Sequence, residues 1–205
     1  MTTRLILVRH GETEWNRTER FQGHANVSLN EVGRRQARAL ARRLSKEGDK
    51  ISTIYASDLA RAYETAQIIA EALGKAVVAR QDLREVDIGA WSGRTMPEIS
   101  ELFPEELEGW QGGVMEMQRG GGESYLDLQK RAVKAFAEIA ARHPQETIVV
   151  VTHGGTMRAF LCDILNMPLR NMGRISLDNA SLSEVNYDQE KPRVVRLNDL
   201  CHLEG

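Results

Sequence analysis

The feature that most constrains this chain is an alternation. Short apolar runs rich in β-branched residues are followed, again and again, by stretches with the spacing of amphipathic helices. Leu5-Ile6-Leu7-Val8 is a continuous apolar run of the kind that suits a strand buried on both faces. From Asn30 to Gly48 the pattern turns helical, with Val32, Ala37, Leu40, Ala41 and Leu44 on one stripe, Asn30 as N-cap and Gly48 as terminator. Ile51–Ser57 predicts a second strand. Leu59, Ala62, Tyr63, Ala66, Ile69, Ala70 and Leu73 predict a second helix stopping at Gly74, and Ala76–Ala79 a third strand. A long helix is expected from Ser124 to Arg142, a buried strand over Thr147–Thr152 and a helix from Thr156 to Asn166. Late, edge-like strands are expected over Ala180–Tyr187 and Arg193–Leu197. The alternation predicts an α/β fold: a three-layer α/β/α sandwich, with a mostly parallel sheet and helices on both faces.

A length of 205 residues, 41% of them hydrophobic, fits one domain spanning 1–205 with a proper core. The stretch from Arg94 to Glu123 breaks the alternation with Pro97, Pro104 and two glycine clusters, and reads as a cap insertion over one end of the sheet. Within it, Thr95-x-x-Glu98 has the form of a capping box opening a short helix. Arg34, Arg35, Arg38, Arg42 and Arg43 read as a solvated helix face. A net charge of −2 gives no reason to expect nucleic acid or an anionic membrane as partner. No apolar run approaches the roughly 18–20 residues of a membrane span. The first residues lack the features of a signal peptide, and Cys162 and Cys201 read as buried or idle thiols, so a cytoplasmic location is expected.

In an open α/β sheet, ligands bind beyond the carboxyl ends of the strands. Arg9 and His10 follow the first apolar run, and Arg61 lies in the first turn of the helix after the second. Glu85 and Asp87 lie beyond the third run, and His153, Gly154 and Gly155 follow Thr147–Thr152. Two arginines, two histidines and two helix N-termini therefore converge at one edge. Arginine forks and helix N-termini both favour phosphate oxygens, so the expected pocket is a phosphate site. Arg61 is especially informative, since a cation in a first helical turn is unfavourable unless an anion is bound there. The spacing by itself leaves a phosphate-binding module open.

Four motifs carry a resemblance. Leu7-Val-Arg-His-Gly-Glu-Thr-Glu-Trp-Asn16, Tyr55-Ala-Ser-Asp-Leu-Ala-Arg-Ala-Tyr-Glu-Thr-Ala66, Leu83-Arg-Glu-Val-Asp-Ile-Gly-Ala-Trp-Ser-Gly93 and Val151-Thr-His-Gly-Gly155 occur in family order along nearly the whole chain. Together they resemble the histidine phosphatase superfamily, also called the phosphoglycerate mutase-like family. The resemblance implies a phosphatase with His10 as nucleophile and a phosphohistidine intermediate. Arg9, Arg61 and His153 would hold the phosphoryl oxygens, and Glu85 would be the general acid, with Asp87 as its rival. Asn16 and the Gly154 amide would be further phosphate donors, and Gln22 and Gly23 would lie where the family closes over its substrate, with His24 at the periphery. No metal and no other cofactor is implied, because the arginines take the place of magnesium ions.

The expected partner is a small phosphomonoester, with a homodimer through the late strands as a further possibility. A phosphoglycerate mutase is the alternative in the same family, and a non-catalytic phosphate-binding regulator the alternative outside enzymes. Against a mutase, segment 94–123 offers only Arg94 and Arg119 as bases beside Glu98, Glu101, Glu105, Glu106, Glu108, Glu116 and Glu123. Against the regulator, His10, Glu85 and His153 are all present. Within the phosphatase branch the pattern is similar to broad-specificity, alpha-ribazole phosphate and metal-independent phosphoserine phosphatases. The tail Asn198-Asp-Leu-Cys-His-Leu203 resembles the phosphoserine type, whereas Ile88 stands where that type has a histidine.

Overall fold

The computed structural model describes residues 2–188 and 191–204. In chain order its elements are β1 (Thr3–Arg9), α1 (Glu14–Arg17), α2 (Glu31–Ser45), β2 (Ile51–Ser57), α3 (Ala60–Leu73), β3 (Val77–Arg80), α4 (Met96–Leu102), α5 (Pro104–Gln111), α6 (Tyr125–Arg142), β4 (Thr147–Thr152), α7 (Gly154–Ile164), β5 (Leu182–Tyr187) and β6 (Arg193–Asp199), with short 3-10 turns between several of them. The strands form one sheet in the order β3-β2-β4-β1-β5-β6. Pairings β2–β3, β2–β4 and β1–β4 are parallel, and β5 and β6 add antiparallel beyond β1.

Burial on both faces explains the composition of the central strands. Leu5, Leu7, Ile148 and Val150 face a core built with α6 and α7, where Phe136 stacks on Phe160 at 4.2 Å. Ile6, Val8, Val149 and Val151 face the opposite way, onto the apolar stripes of α2 and α3. The chain is thus the expected three-layer α/β/α arrangement on a mostly parallel sheet.

Several boundaries differ from the sequence reading, each for a local reason. Asn30 caps α2 by accepting from the Gly33 amide, as expected, but the helix stops at Ser45 and Gly48 instead opens a 3-10 turn. Gly74 ends α3 in the left-handed conformation that a glycine takes without steric cost. The third strand is Val77–Arg80, one residue later than read. α7 begins at Gly154 and not Thr156, because both glycines lie within its first turn. Of the late strands only β6 is an edge; β5 lies between β1 and β6, and its first four residues are buried. Ala180, expected in a strand, instead adopts a left-handed conformation with φ 58°.

Segment 94–123 holds α4 and α5, and the Thr95/Glu98 capping box forms as read. Its apolar residues Met96, Ile99, Phe103, Leu107 and Trp110 gather with Phe21, Val86, Ile88 and Leu128 around the fully buried Trp91.

Candidate active site

The register of the central pair places the key residues. Arg9 is level with Thr152, so the next residues, His10 and His153, leave adjacent strand ends side by side, with ring centroids 5.2 Å apart. Ser57 ends the neighbouring strand β2, and its hydroxyl meets His153 Nε2 at 2.8 Å. Both imidazoles are buried.

His10 is held in one orientation by its own backbone. Its Nδ1 lies 2.7 Å from the Gly11 carbonyl oxygen, which can only accept, so Nδ1 carries the proton. Nε2 then bears the lone pair, and it has no hydrogen-bond partner among the described residues. Burial, then the charges of Arg61 and Arg9, push the His10 pKa well below its ordinary value, against the opposing pull of the Gly11 bond. His153 is pushed the same way by burial, Arg61, His10 and Arg9. Both rings are therefore neutral at pH 7.

The loop carrying His10 is tied down from several sides. The Gly11 amide donates to Thr65, Asn179 donates to the His10 carbonyl at 3.1 Å, and the Ala180 amide is shared between the Arg9 and His10 carbonyls. Close approach of Gly11 to Gly33 seats this loop on α2: a side-chain carbon on Gly11 would stand 2.6 Å from the Gly33 carbonyl oxygen.

Arg61 is 1% exposed, and its guanidinium donates to the carbonyls of Gly23 and Ala25 at 2.8 and 2.9 Å. Gly23 thus anchors Arg61 through its carbonyl. Burial, aided by the nearby Arg9 charge, lowers the Arg61 pKa to about 10, with Glu85 acting in the opposite direction. Arg9 donates to the Leu177 carbonyl at 2.6 Å. Its pKa is lowered by burial and by the charge of Arg158. Neither arginine spends its fork on a carboxylate. Arg9 Nε, Arg61 Nε, His153 Nδ1 and Gln22 Oε1 are buried with no hydrogen-bond partner. Leaving such groups unsatisfied costs stability; others lie on Arg80, Trp91, Arg94, Arg119 and Ser181, but these four belong to the residues whose donors and acceptors a bound phosphate ester could take up.

The two candidate acids are separated by geometry. Glu85 reaches the N-terminus of α7, where Oε2 accepts from the Gly155 amide at 2.9 Å and Oε1 from the Thr156 amide at 3.2 Å. Only glycine permits this approach, since a side-chain carbon on Gly155 would sit 2.2 Å from Glu85 Oε1. Asp87 instead accepts from the Gly89 amide. Gly154 lies against the Arg9 guanidinium. His24 meets the Glu85 carbonyl oxygen at 2.8 Å. Asn16 lies at the rim: its side-chain oxygen closes the capping box of α1 with Thr13, which leaves only the amide nitrogen for a ligand.

Contacts join Arg9, His10, Asn16, Gly23, His24, Arg61, Glu85, His153 and Gly154 into this strand-end cluster, whereas Asp87 turns to Gly89 and the Gln22 side-chain oxygen has no partner. Sequence reasoning passed over Ser57, Thr65, Asn179 and Arg158. Ser57 is the one with a signal, since it ends an apolar run as Arg9 and Thr152 do; the others depend on contacts between distant segments.

Comparison with known proteins gives the family. The chain matches the histidine phosphatase superfamily (branch 1) over residues 5–200. It is 38% identical over 200 residues to Phosphoserine phosphatase 1 of Hydrogenobacter thermophilus, covering 98% of this chain and 94% of that one. Two Arabidopsis thaliana proteins are also similar. Phosphoglycerate mutase-like protein 4 is 41% identical over 202 residues (98% and 86% covered), and Metal-independent phosphoserine phosphatase is 37% identical over 203 (98% and 83%). Among solved structures, a mutant phosphoserine phosphatase from Entamoeba histolytica in complex with phosphoserine superimposes with a TM-score of 0.89 at 28% identity, covering 98% of this chain and 99% of that one. The chain belongs to the histidine phosphatase superfamily. It is a phosphatase of that superfamily.

Proposed function

We propose that the protein hydrolyses small phosphomonoesters in two steps through a phosphohistidine at His10, without a metal ion. The observation that carries this reading is the state of His10: neutral, protonated on Nδ1 by its bond to Gly11, and presenting an uncommitted Nε2. Nε2 attacks phosphorus, and the bond to the ester oxygen breaks as Glu85 gives that oxygen a proton. Water then attacks the phosphohistidine, leaving its proton on Glu85, and the P–N bond breaks to free inorganic phosphate and neutral His10. Each step needs charge stabilisation more than bond-making power. Arg9, Arg61 and His153 supply it as fixed donors around the transferred group, with Asn16, Gln22 and the Gly154 amide at its margin.

Segment 94–123 acts in this reading as a cap over the strand-end site. Its two bases lie over aromatic faces, Arg94 5.5 Å from the centre of the Phe103 ring and Arg119 3.9 Å from that of Tyr125, with Arg94 Nε and Arg119 Nε and Nη2 buried and without a hydrogen-bond partner. Two bases beside the seven glutamates of the segment are a poor match for the second charge of a reorienting bisphosphate, which favours hydrolysis over mutase chemistry. The relatives bearing phosphoserine phosphatase names make phosphoserine the first substrate to try, and Ile88 makes it one for which a histidine contact would be missing.

The test is phosphate release from p-nitrophenyl phosphate, phosphoserine, 3-phosphoglycerate and alpha-ribazole phosphate in excess EDTA, with alkali-quenched samples assayed for acid-labile, base-stable phosphoprotein. Release with phosphate trapped on the wild-type chain and absent from His10→Ala is the expected result. Conversion of 3-phosphoglycerate to its 2-isomer without release would overturn the hydrolase reading in favour of the mutase. Activity abolished by EDTA and restored by a divalent cation would overturn the metal-free step.

A further inference from the structure

A crevice of about 260 Å³ opens between segment 94–123 and the residues around α7, and nothing in the chemistry described above uses it. Trp110, Met115, Tyr125 and Met172 form apolar walls, and Arg158 and Arg170 bring two guanidiniums to the same space. No carboxylate lines it. That absence is informative in a chain of net charge −2, whose segment 94–123 alone carries Glu98, Glu101, Glu105, Glu106, Glu108, Glu116 and Glu123. Elsewhere the arginines near acidic neighbours are paired, as Arg43 with Asp199, Arg84 with Asp58 and Arg131 with Glu123. Arg158 spends only its Nε, on the Ile175 carbonyl at 2.8 Å. Arg170 is exposed and makes no hydrogen bond or ion pair among the described residues.

Arg158 ties the crevice to the phosphate end of the site. Arg158 stands one helical turn beyond Gly154, which itself lies against Arg9. Arg9 and Arg158 hold carbonyls two residues apart, those of Leu177 and Ile175, and the charge of Arg158 is felt at Arg9. Trp110 connects the crevice to the loop before Gln22, since its ring lies 6.1 Å from that of Phe21.

We infer that this crevice is the subsite for the organic part of the substrate, and that it selects phosphomonoesters whose apolar body carries a second anionic group, such as a carboxylate, for Arg158 and Arg170. The inference rests on the hydrolase reading and adds the substrate class to it. Apolar walls take the body at the expense of water, and a half-buried Arg158 beside an exposed Arg170, neither paired with a carboxylate, favours an anion over a neutral tail. The bisphosphate of a mutase has no apolar body to fill the walls.

The experiment compares phenyl phosphate with 4-carboxyphenyl phosphate, whose carboxylate stands one ring away from the ester oxygen. Values of kcat/KM are measured for the wild type, Arg170→Glu and Arg170→Lys. The readout is the ratio of the two substrates within each protein, divided by the wild-type ratio, which cancels the difference in leaving-group reactivity. Arg170→Glu should cut the preference for the carboxylated ester by roughly fivefold, the upper scale of an exposed ion pair, through KM and not kcat. Arg170→Lys should restore most of it. Parallel changes on both esters, or no change in the ratio, would overturn the subsite.

A wild type that hydrolyses neither ester would count against the hydrolase reading alone. The subsite is then read without turnover, from thermal stabilisation by 4-carboxyphenylphosphonate relative to phenylphosphonate. A carboxylate-dependent gain that Arg170→Glu removes supports the subsite, and equal stabilisation by the two phosphonates overturns it.

Discussion

The strand-end cluster and segment 94–123 both hold arginines away from carboxylates, but they hold them by different means. At the strand ends, Arg9 and Arg61 bond to main-chain carbonyls of Leu177, Gly23 and Ala25, and His10 bonds to that of Gly11. In segment 94–123, Arg94 and Arg119 lie on the faces of Phe103 and Tyr125, beside a core of aromatic edges centred on Trp91. Main-chain anchors fix a side chain to within a hydrogen bond's tolerance and survive substitution of the residues that supply them. Aromatic packing fixes volume and leaves orientation looser. The first kind of support suits chemistry, which needs atoms held close to the attacking geometry. The second suits recognition, where one side chain can be exchanged without disturbing the reaction.

The largest effect expected from this contrast belongs to His10. His10→Ala should lower turnover on every phosphomonoester by on the order of 10⁶-fold, the scale for removing a catalytic nucleophile. No single replacement among Phe103, Trp110 and Met115 should approach that on p-nitrophenyl phosphate. A His10→Ala protein with near wild-type phosphate release would break the comparison outright.

Glu85 comes next, and it sharpens the contrast by leaving group. Glu85→Gln keeps the shape but has no proton to give, so alkyl phosphates such as phosphoserine should slow by about 10²–10⁴-fold. With p-nitrophenyl phosphate, whose leaving group needs little protonation, the loss should be much smaller. Equal losses on both substrates would assign Glu85 a positioning role through the Gly155 and Thr156 amides it binds.

Trp91 carries the prediction for the aromatic side. It is fully buried, and Trp91→Ala should cost about 3–5 kcal/mol of stability, the range for emptying a large aromatic site, measured by urea unfolding. The kcat on p-nitrophenyl phosphate per folded molecule should change far less than for Glu85→Gln on phosphoserine. A fall in kcat as steep as that of His10→Ala would mean that the aromatic core positions the reacting groups and that the two regions are one device.

The same division explains what could be read in the sequence. Buried parallel strands show as continuous apolar runs and helices as stripes, so the layers and the placement of Arg9, His10, Arg61, Glu85 and His153 at strand ends were legible. The resemblance of the four motifs added the roles proposed for them. The supports were not legible, because they are main-chain carbonyls: nothing in the letters Gly23, Ala25 or Leu177 says that an arginine donates to them. Asn179 and Ala180 lead into β5 beside β1, on an antiparallel return that alternation alone does not reveal. The start of α7 was placed two residues late because glycine is a poor helix former, yet Gly155 is there to let Glu85 reach the helix amides.

The smallest expected effect is the one that tells the two regions apart in a single folded molecule. His10 and His153 have pKa values well below that of an exposed histidine, chiefly because burial disfavours their charged forms. The unfolded chain, with histidines near 6.5, therefore binds more protons than the folded one in acid. Stability from these groups is complete above about pH 6.5 and is lost as pH falls below it, by up to about 1.4 kcal/mol per pH unit for each histidine. Segment 94–123 contains no histidine. Hydrogen exchange followed from pH 7 to pH 5, corrected for intrinsic rates, should thus show amides of residues 9–11 and 152–156 losing protection before those of α4 and α5. Replacing His153 with glutamine should flatten the acid slope of the urea midpoint. If α4 and α5 open first, or if the slope is unchanged in that variant, the acid-sensitive element is not the paired imidazoles, and the strand-end site is held more firmly than its unpaired polar atoms suggest.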